Sequence, residues 1–159
     1  MLRTDCTRKL EQYLTEEGVA FRELTHTTAY TAQRLAEAEH IPGKAVAKVV
    51  VAQGDRGPCI LVLPAIYRVD LSRAAGALGM KQLQLAQERE FRELFPDCEV
   101  GAMPPFGNLY DMPVYVDQSL AEDPEITFAA GSHELTLTVA YADFARLVRP
   151  VVADFARRF

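Results

Sequence analysis

Two apolar runs separated by a turn signal constrain the fold of this chain more than any other feature. Residues 45–52 and 59–63 are rich in valine, leucine and isoleucine, and the segment 54–57 (Gly-Asp-Arg-Gly) lies between them. β-Branched residues favour strands, whereas glycine and aspartate favour turns. The pattern therefore predicts a β-hairpin. Because strands this apolar are usually covered on both faces, the rest of the chain must supply covering layers.

Helix and strand signals alternate over the remaining sequence. One helical face is formed by Cys6, Leu10, Tyr13 and Leu14, and Gly18 follows as a stop signal. Further patterns predict helices at 31–38, 70–79 and 87–95, strands at 20–24 and 114–116, and a hairpin joining 126–130 to 135–139. Together these elements predict an α+β fold, with a mixed or antiparallel, barrel-like sheet and surrounding helices.

The last segment carries an apolar stripe that predicts an inward-facing helical surface. Its members are Phe144, Leu147, Val148, Val151, Val152 and Phe155. Pro150 lies within this stripe, and a proline inside a helix removes a hydrogen bond and clashes with the preceding turn. We therefore expect Pro150 to kink or split the helix.

Size and charge limit the classes of protein to which the chain can belong. Its 159 residues predict one domain spanning 1–159, and 17 basic against 22 acidic residues give a net charge of −5. An acidic balance argues against a general binder of duplex DNA. The chain starts directly with charged residues, and its longest apolar run is far shorter than the ~20 residues of a membrane span. These features predict a cytoplasmic protein that binds neither DNA nor membrane.

The three cysteines are far apart and form no Cys-x-x-Cys pair. We expect Cys6, Cys59 and Cys98 to be separate, buried apolar residues rather than parts of a disulfide scaffold or a zinc site. No phosphate-binding glycine motif, nucleophile elbow or metal-binding histidine pattern is present. The sequence thus predicts neither a metal nor a cofactor.

Lys48 lies in the most apolar strand, on the same face as Val46 and Val50. A lysine in this position extends its amine to solvent from an edge strand, or else provides a fixed cation in a pocket. In the second case it can hold a phosphate or polarise a carbonyl group.

Two glycine-containing segments offer further chemistry. The segment 101–107 (Gly-Ala-Met-Pro-Pro-Phe-Gly) is a shaped loop whose backbone N–H groups can donate to a carbonyl oxygen; the alternative is an ordinary structural turn. Gly131-Ser132-His133 connects the strands of the later hairpin and puts His133 near its tip. That histidine either orients a polar substrate group or simply occupies the surface.

The order and spacing of these segments resemble the YbaK-like family of aminoacyl-tRNA deacylases, which includes the editing insertion domain of bacterial prolyl-tRNA synthetases. The resemblance extends over most of the chain, and includes Arg68-Val69-Asp70-Leu71 and the start of the last helix at Tyr141. It implies hydrolysis of the ester that joins a wrong amino acid to the 3′ end of a tRNA. The attacking water is oriented partly by the ribose hydroxyl of the substrate.

The resemblance also implies roles for particular residues. Lys48 is the key polar residue, Gly101 helps to hold the scissile carbonyl, and His133 lies beside the aminoacyl group. We assign six more residues to the substrate-binding surface, namely Tyr30, Pro105, Phe106, Gly107, Gly131 and Ser132. The expected partners are the aminoacyl-tRNA 3′ end and a synthetase that supplies tRNA affinity.

Two other functions are consistent with the same residues. One is a non-catalytic module of this fold that binds a nucleotide, a small ligand or a partner. The other is a hydrolase of small acyl esters that does not require tRNA.

Overall fold

A computed structural model of the chain describes residues 3–25 and 46–158. The helices in these ranges are α1 (Asp5–Glu16), α2 (Leu71–Ala77), α3 (Glu88–Leu94), α4 (Gln118–Ala121) and α5 (Tyr141–Val148). The strands are β1 (Phe21–Thr25), β2 (Ala47–Gly54), β3 (Gly57–Pro64), β4 (Arg68–Val69), β5 (Leu83–Leu85), β6 (Val114–Asp117), β7 (Glu125–Ser132), β8 (Leu135–Ala140), β9 (Val151–Ala153) and β10 (Ala156–Arg157). None of these helices has the length and apolar character needed to cross a membrane.

The apolar hairpin is the centre of a five-stranded mixed sheet. β2 and β3 pair antiparallel over their full length, from Ala47 opposite Pro64 to Gly54 opposite Gly57, so the predicted hairpin is confirmed. The sheet has the order β5-β2-β3-β6-β9, in which the β3–β6 and β6–β9 pairs are parallel.

A second sheet is fully antiparallel, in the order β1-β8-β7. A single parallel bridge between Val46 and Thr127 links it to the start of β2. β10 and β4 form a separate short pair. The mixed α+β fold is confirmed, and the described strands form these three sheets without closing into a barrel.

The main core lies between the two larger sheets and is covered by α1 and α5. α1 begins where the Thr4 side chain accepts a hydrogen bond from the Thr7 backbone N–H at 3.1 Å, and its predicted apolar face is buried at Cys6, Leu10 and Leu14. The Phe106 ring packs against the rings of Phe128 and Phe144. Large aromatic rings bury much apolar surface, so these contacts stabilise the core.

The C-terminal stripe folds differently from the sequence-based prediction. The helix ends at Val148, before Pro150, and Val151 and Val152 then lie in a strand that pairs with β6. These two valines are 53% and 49% exposed, whereas Phe155 is completely buried. The predicted inward helical face is therefore wrong beyond Val148, because a strand at the edge of the sheet pairs its backbone with β6 once proline has ended the helix.

Asp117 fixes the chain that follows β9. One of its carboxylate oxygens accepts hydrogen bonds from the backbone N–H groups of Phe155 and Ala156 at 2.9 and 2.8 Å, and the other accepts from Ser119. Burial raises the pKa of this carboxyl group, but the hydrogen bonds outweigh it and leave the pKa below its usual value. Asp117 thereby positions β10, and with it the paired strand β4.

Candidate functional site

The loop 101–107 begins with a glycine in a conformation that other residues rarely adopt. Gly101 has φ +86°, in the left-handed region that favours glycine, and it is exposed, whereas the next six residues are buried. Its backbone N–H lies 3.3 Å from the Met103 sulfur. The loop thus presents Gly101 to solvent while its other residues anchor it in the core.

Backbone hydrogen bonds join this loop to the end of β7. The Glu99 N–H donates to the Gly131 carbonyl oxygen at 2.9 Å, and the Gly131 N–H donates to the Ala102 carbonyl oxygen at 2.8 Å. The register of the β7–β8 pair shifts between Ala129 and Ser132, where Gly131 has φ +93°. This irregularity frees the backbone of Gly131 to pair with the loop instead of with β8.

His133 completes the same cluster. Its Nε2 atom lies 2.7 Å from the Val100 carbonyl oxygen, and since a carbonyl oxygen only accepts, this contact requires the proton on Nε2. A side chain added at Gly101 would bring its Cβ within 3.3 Å of His133 Cε1. The structure therefore brings Gly101, Gly131 and His133 together. Ser132 is buried beside them, and its hydroxyl accepts from the Glu134 N–H at 3.2 Å.

Pro105, Phe106 and Gly107 support the loop from inside the core. Phe106 is completely buried, and a Cβ at Gly107 would lie 2.5 Å from the Met112 carbonyl oxygen, so only glycine fits there. These residues, which sequence analysis assigned to the substrate-binding surface, shape the loop in this structure rather than facing solvent. Tyr30, assigned to the same surface, lies outside the described residues, as does the helix predicted at 31–38.

A disulfide lies directly beneath the loop, contrary to the expectation that the cysteines are separate. Cys6, in the first turn of α1, is bonded to Cys98, and their Cα atoms are 5.1 Å apart. A Cβ at Gly131 would lie 2.7 Å from the Cys6 sulfur. Cys59 is a free, buried cysteine, as predicted. No local pattern indicates the bond, because 92 residues separate its two cysteines.

Cys6, Cys98 and Asp97 also form the metal-compatible cluster found in the described part of the chain. The two sulfurs are bonded to each other, so neither is a thiolate ligand in this state. The oxygens of Asp97 are occupied, since one accepts from the Tyr110 hydroxyl at 3.0 Å and the other pairs with Lys9 at 3.0 Å. The arrangement here is a cross-link braced by polar contacts.

Lys48 lies in the wall of a separate cavity of about 250 Å³. The other described wall residues are Val50, Arg68, Val69, Leu71 and Leu85. Lys48 is half-buried, and this burial, together with the positive charge of Arg68, holds the pKa of its amine below the usual lysine value. Sequence analysis did not assign Arg68 a role; its only signal was a place in the Arg68-Val69-Asp70-Leu71 segment.

The described residues therefore form two groups. The cavity wall that contains Lys48 includes no residue of the 101–107 loop and none of 131–133. Alternate residues of β2 explain this separation, because Lys48 and Val50 share one face of the strand whereas Ala47 and Val51 point into the main core with Phe106.

Comparison with known proteins agrees with the resemblance found in the sequence. The family model described as the aminoacyl-tRNA editing domain matches residues 26–147, and the chain belongs to this family. A curated relative from Escherichia coli strain K12, named as a multifunctional Ser/Thr-tRNA deacylase, ProXp-y, is 29% identical over 155 residues. That alignment covers 94% of this chain and 92% of the relative.

Solved structures show the same fold. A crystal structure described as a candidate trans-editing enzyme for prolyl tRNA synthetase matches with a TM-score of 0.83 and 26% identity, covering 98% of this chain and 99% of that one. A hypothetical protein matches with a TM-score of 0.84 and 20% identity, covering 94% of this chain and 99% of that one. At that identity the second match shows the fold alone.

Proposed function

We propose that this chain is a trans-acting aminoacyl-tRNA deacylase that removes a wrongly attached amino acid from the 3′ end of tRNA. The observation that carries the proposal is the alignment with a Ser/Thr-tRNA deacylase, which covers 94% of this chain and 92% of that relative. Membership of the editing-domain family supports the same reaction class. Serine and threonine are therefore the first amino acids to test.

The reaction is a hydrolysis in which water attacks the ester carbonyl. A new bond forms between the water oxygen and the carbonyl carbon, the ester C–O bond breaks, and the proton passes to the departing ribose oxygen. Negative charge develops on the carbonyl oxygen, and one well-placed donor in a dry site contributes about 3–4 kcal/mol to its stabilisation. Lys48 supplies such a donor from a half-buried position. The ribose hydroxyl of the substrate helps to orient the water.

In this proposal the glycine-loop cluster, defined by Gly101, Gly131 and His133, holds the aminoacyl end. Gly101 is exposed and His133 is half-exposed beside it, so both are accessible to a ligand. The bond from His133 Nε2 to the Val100 carbonyl fixes the orientation of the ring beside Gly101, where it borders the space for the amino acid. Gly101 and His133 thus help to select the substrate, while the charge comes from Lys48. The proposal requires the ester to lie between the Lys48 cavity and the glycine-loop cluster, so that both reach the same aminoacyl group.

A net charge of −5 is unusual for a protein that holds a polyanion unaided. The proposal therefore includes a synthetase partner that supplies much of the tRNA affinity. A solved relative is described as a candidate trans-editing enzyme for prolyl tRNA synthetase, which supports this choice. Because aminoacyl-tRNA is used in the cytoplasm, the proposal also includes a cytoplasmic location.

The test is a panel of mischarged tRNAs, beginning with serine and threonine, in which loss of the ester is followed over time. We expect hydrolysis by the unmodified protein and a loss of about 100-fold or more in Lys48→Ala, with the fold intact by circular dichroism. Lys81→Ala is the matched control, because Lys81 is an exposed lysine outside the Lys48 cavity.

Two other outcomes would overturn the proposal. Binding of ligand without turnover over the whole panel would indicate a non-catalytic module. Equal turnover of simple aminoacyl esters, with no preference for tRNA, would indicate a general ester hydrolase.

A further inference from the structure

We propose that Arg68 binds the 5′-phosphate of the terminal nucleotide of the tRNA at the mouth of the Lys48 cavity, which leaves Lys48 to contact the ester carbonyl. This inference rests on the proposed function and divides the work between the two cations. It assigns a ligand contact to Arg68 and defines the cavity as the place for the terminal nucleotide.

The chemistry of the cavity wall fits a nucleotide. Every charged side chain among its described wall residues is a cation, and the other four are apolar, namely Val50, Val69, Leu71 and Leu85. Ligand pockets commonly combine an apolar lining with a few polar groups that fix orientation. Here the apolar surface suits a base and the carbon face of a ribose, and the cations suit a phosphate. The volume of about 250 Å³ suits a terminal fragment rather than folded RNA.

The two cations differ in depth, and this difference sets their roles. Arg68 is exposed, whereas Lys48 is half-buried in the same wall. A phosphate is strongly hydrated and loses least when it binds where water still has access. A carbonyl oxygen carries no full charge before reaction, so it enters the drier position at lower cost. The phosphate therefore belongs with Arg68 and the carbonyl with Lys48.

The side-chain chemistry agrees with this assignment. The planar guanidinium group of arginine presents paired N–H donors that match two phosphate oxygens, whereas the lysine amine is a compact point charge. The charge of Arg68 already acts on Lys48, since it helps to lower the pKa of the lysine amine. A bound phosphate offsets this repulsion between like charges, so phosphate binding favours the charged form of Lys48.

The backbone holds Arg68 in place. Arg68 and Val69 form β4, which pairs with Arg157 and Ala156 of β10, and β10 is anchored by Asp117. The Asp70 N–H also donates to the Phe155 carbonyl oxygen at 2.8 Å. A ligand contact made from a paired strand is positioned more accurately than one made from a free loop.

The test compares two small substrates, 3′-O-seryl-adenosine 5′-monophosphate and 3′-O-seryl-adenosine, which differ only in the phosphate. In Arg68→Gln we expect KM for the first to rise about tenfold or more, as expected for a lost charge-assisted hydrogen bond, while KM for the second is unchanged. Arg68→Lys keeps the charge but not the paired donors. We therefore expect its KM for the phosphorylated substrate to lie between the values for the unmodified protein and for Arg68→Gln. Arg89→Gln is the matched control, since it removes the same charge from an exposed position on α3.

An equal rise in KM for both substrates, or no rise for either, would overturn the phosphate assignment. Circular dichroism of both Arg68 variants excludes misfolding as the cause. If the unmodified protein hydrolyses neither substrate nor any tRNA of the panel, the proposed function fails. Direct titration with adenosine 5′-monophosphate tests the phosphate site by itself, whether or not the two small esters are hydrolysed. We expect binding to be about tenfold weaker in Arg68→Gln, and equal binding would overturn the inference.

Discussion

The glycine-loop cluster and the Lys48 cavity are built by different means. Gly101, Gly131 and His133 are held by backbone hydrogen bonds, by two positive-φ glycines and by the disulfide beneath them. The cavity depends instead on two cationic side chains carried by strands β2 and β4. The first region is therefore sensitive to shape and covalent connectivity, whereas the second is sensitive to charge and pH.

The largest expected effect concerns the Cys6–Cys98 disulfide beneath the glycine-loop cluster. Reduction of the Cys6–Cys98 bond should lower the free energy of unfolding by about 4 kcal/mol, because the bond closes a loop across a separation of 92 residues and restricts the unfolded chain. Denaturant unfolding with and without a reductant measures this difference.

The double variant Cys6→Ser, Cys98→Ser is the control for that experiment, since a reductant should have no further effect on it. Cys59 is a free cysteine and stays present in both proteins. An unfolding midpoint that does not respond to the reductant would show that the cross-link does not stabilise this region.

The second prediction tests the shape of the loop without changing its charge. Gly101→Val should lower deacylation about 100-fold, because a β-branched residue is strained at φ +86° and its Cβ would lie 3.3 Å from His133 Cε1. The initial rate on a tRNA mischarged with serine measures the effect.

Gly101→Ala separates strain from steric bulk. It carries the same unfavourable φ and the same 3.3 Å contact but lacks the branch, so we expect it to lose less activity than Gly101→Val. Full activity in Gly101→Val would remove the loop from the site.

The prediction with the smallest expected effect concerns the positive charge of Lys48 in the cavity. Burial and the charge of Arg68 lower the pKa of Lys48, so the protonated amine is lost at a lower pH than for an ordinary lysine. If the reaction requires that charge, the rate should fall as the pH rises through this lowered pKa. Removal of the Arg68 charge should raise the pKa of Lys48, and the fall in rate should then occur at a higher pH.

The pH profile of Arg68→Gln against that of the unmodified protein, measured on 3′-O-seryl-adenosine, checks this direction. The substrate without a phosphate keeps the binding role of Arg68 out of the comparison, and a sample without protein corrects for spontaneous ester hydrolysis. Arg89→Gln should leave the profile unchanged. A shift to lower pH in Arg68→Gln would contradict the proposed coupling between the two cations.

Local features of this protein were predictable because their cause lies within a few residues. The apolar face of α1, the β2–β3 hairpin and the later β7–β8 hairpin follow from side-chain period and turn chemistry, and the structure contains all three. The turn of the later hairpin lies at His133-Glu134, whereas Gly131 and Ser132 belong to β7. The position of Lys48 on an apolar strand is equally visible in the sequence.

The remaining features depend on segments that are distant in the chain. The sequence alone determined the longer described helices and strands before Val148, but it did not predict the short elements β4, β5 and α4. Only the tertiary structure joined Cys6 to Cys98, put Arg68 beside Lys48, and turned Val151 and Val152 into an edge strand. The physical reason is that periodicity reports the local backbone, whereas these contacts arise when separate elements pack, and packing can override a local pattern.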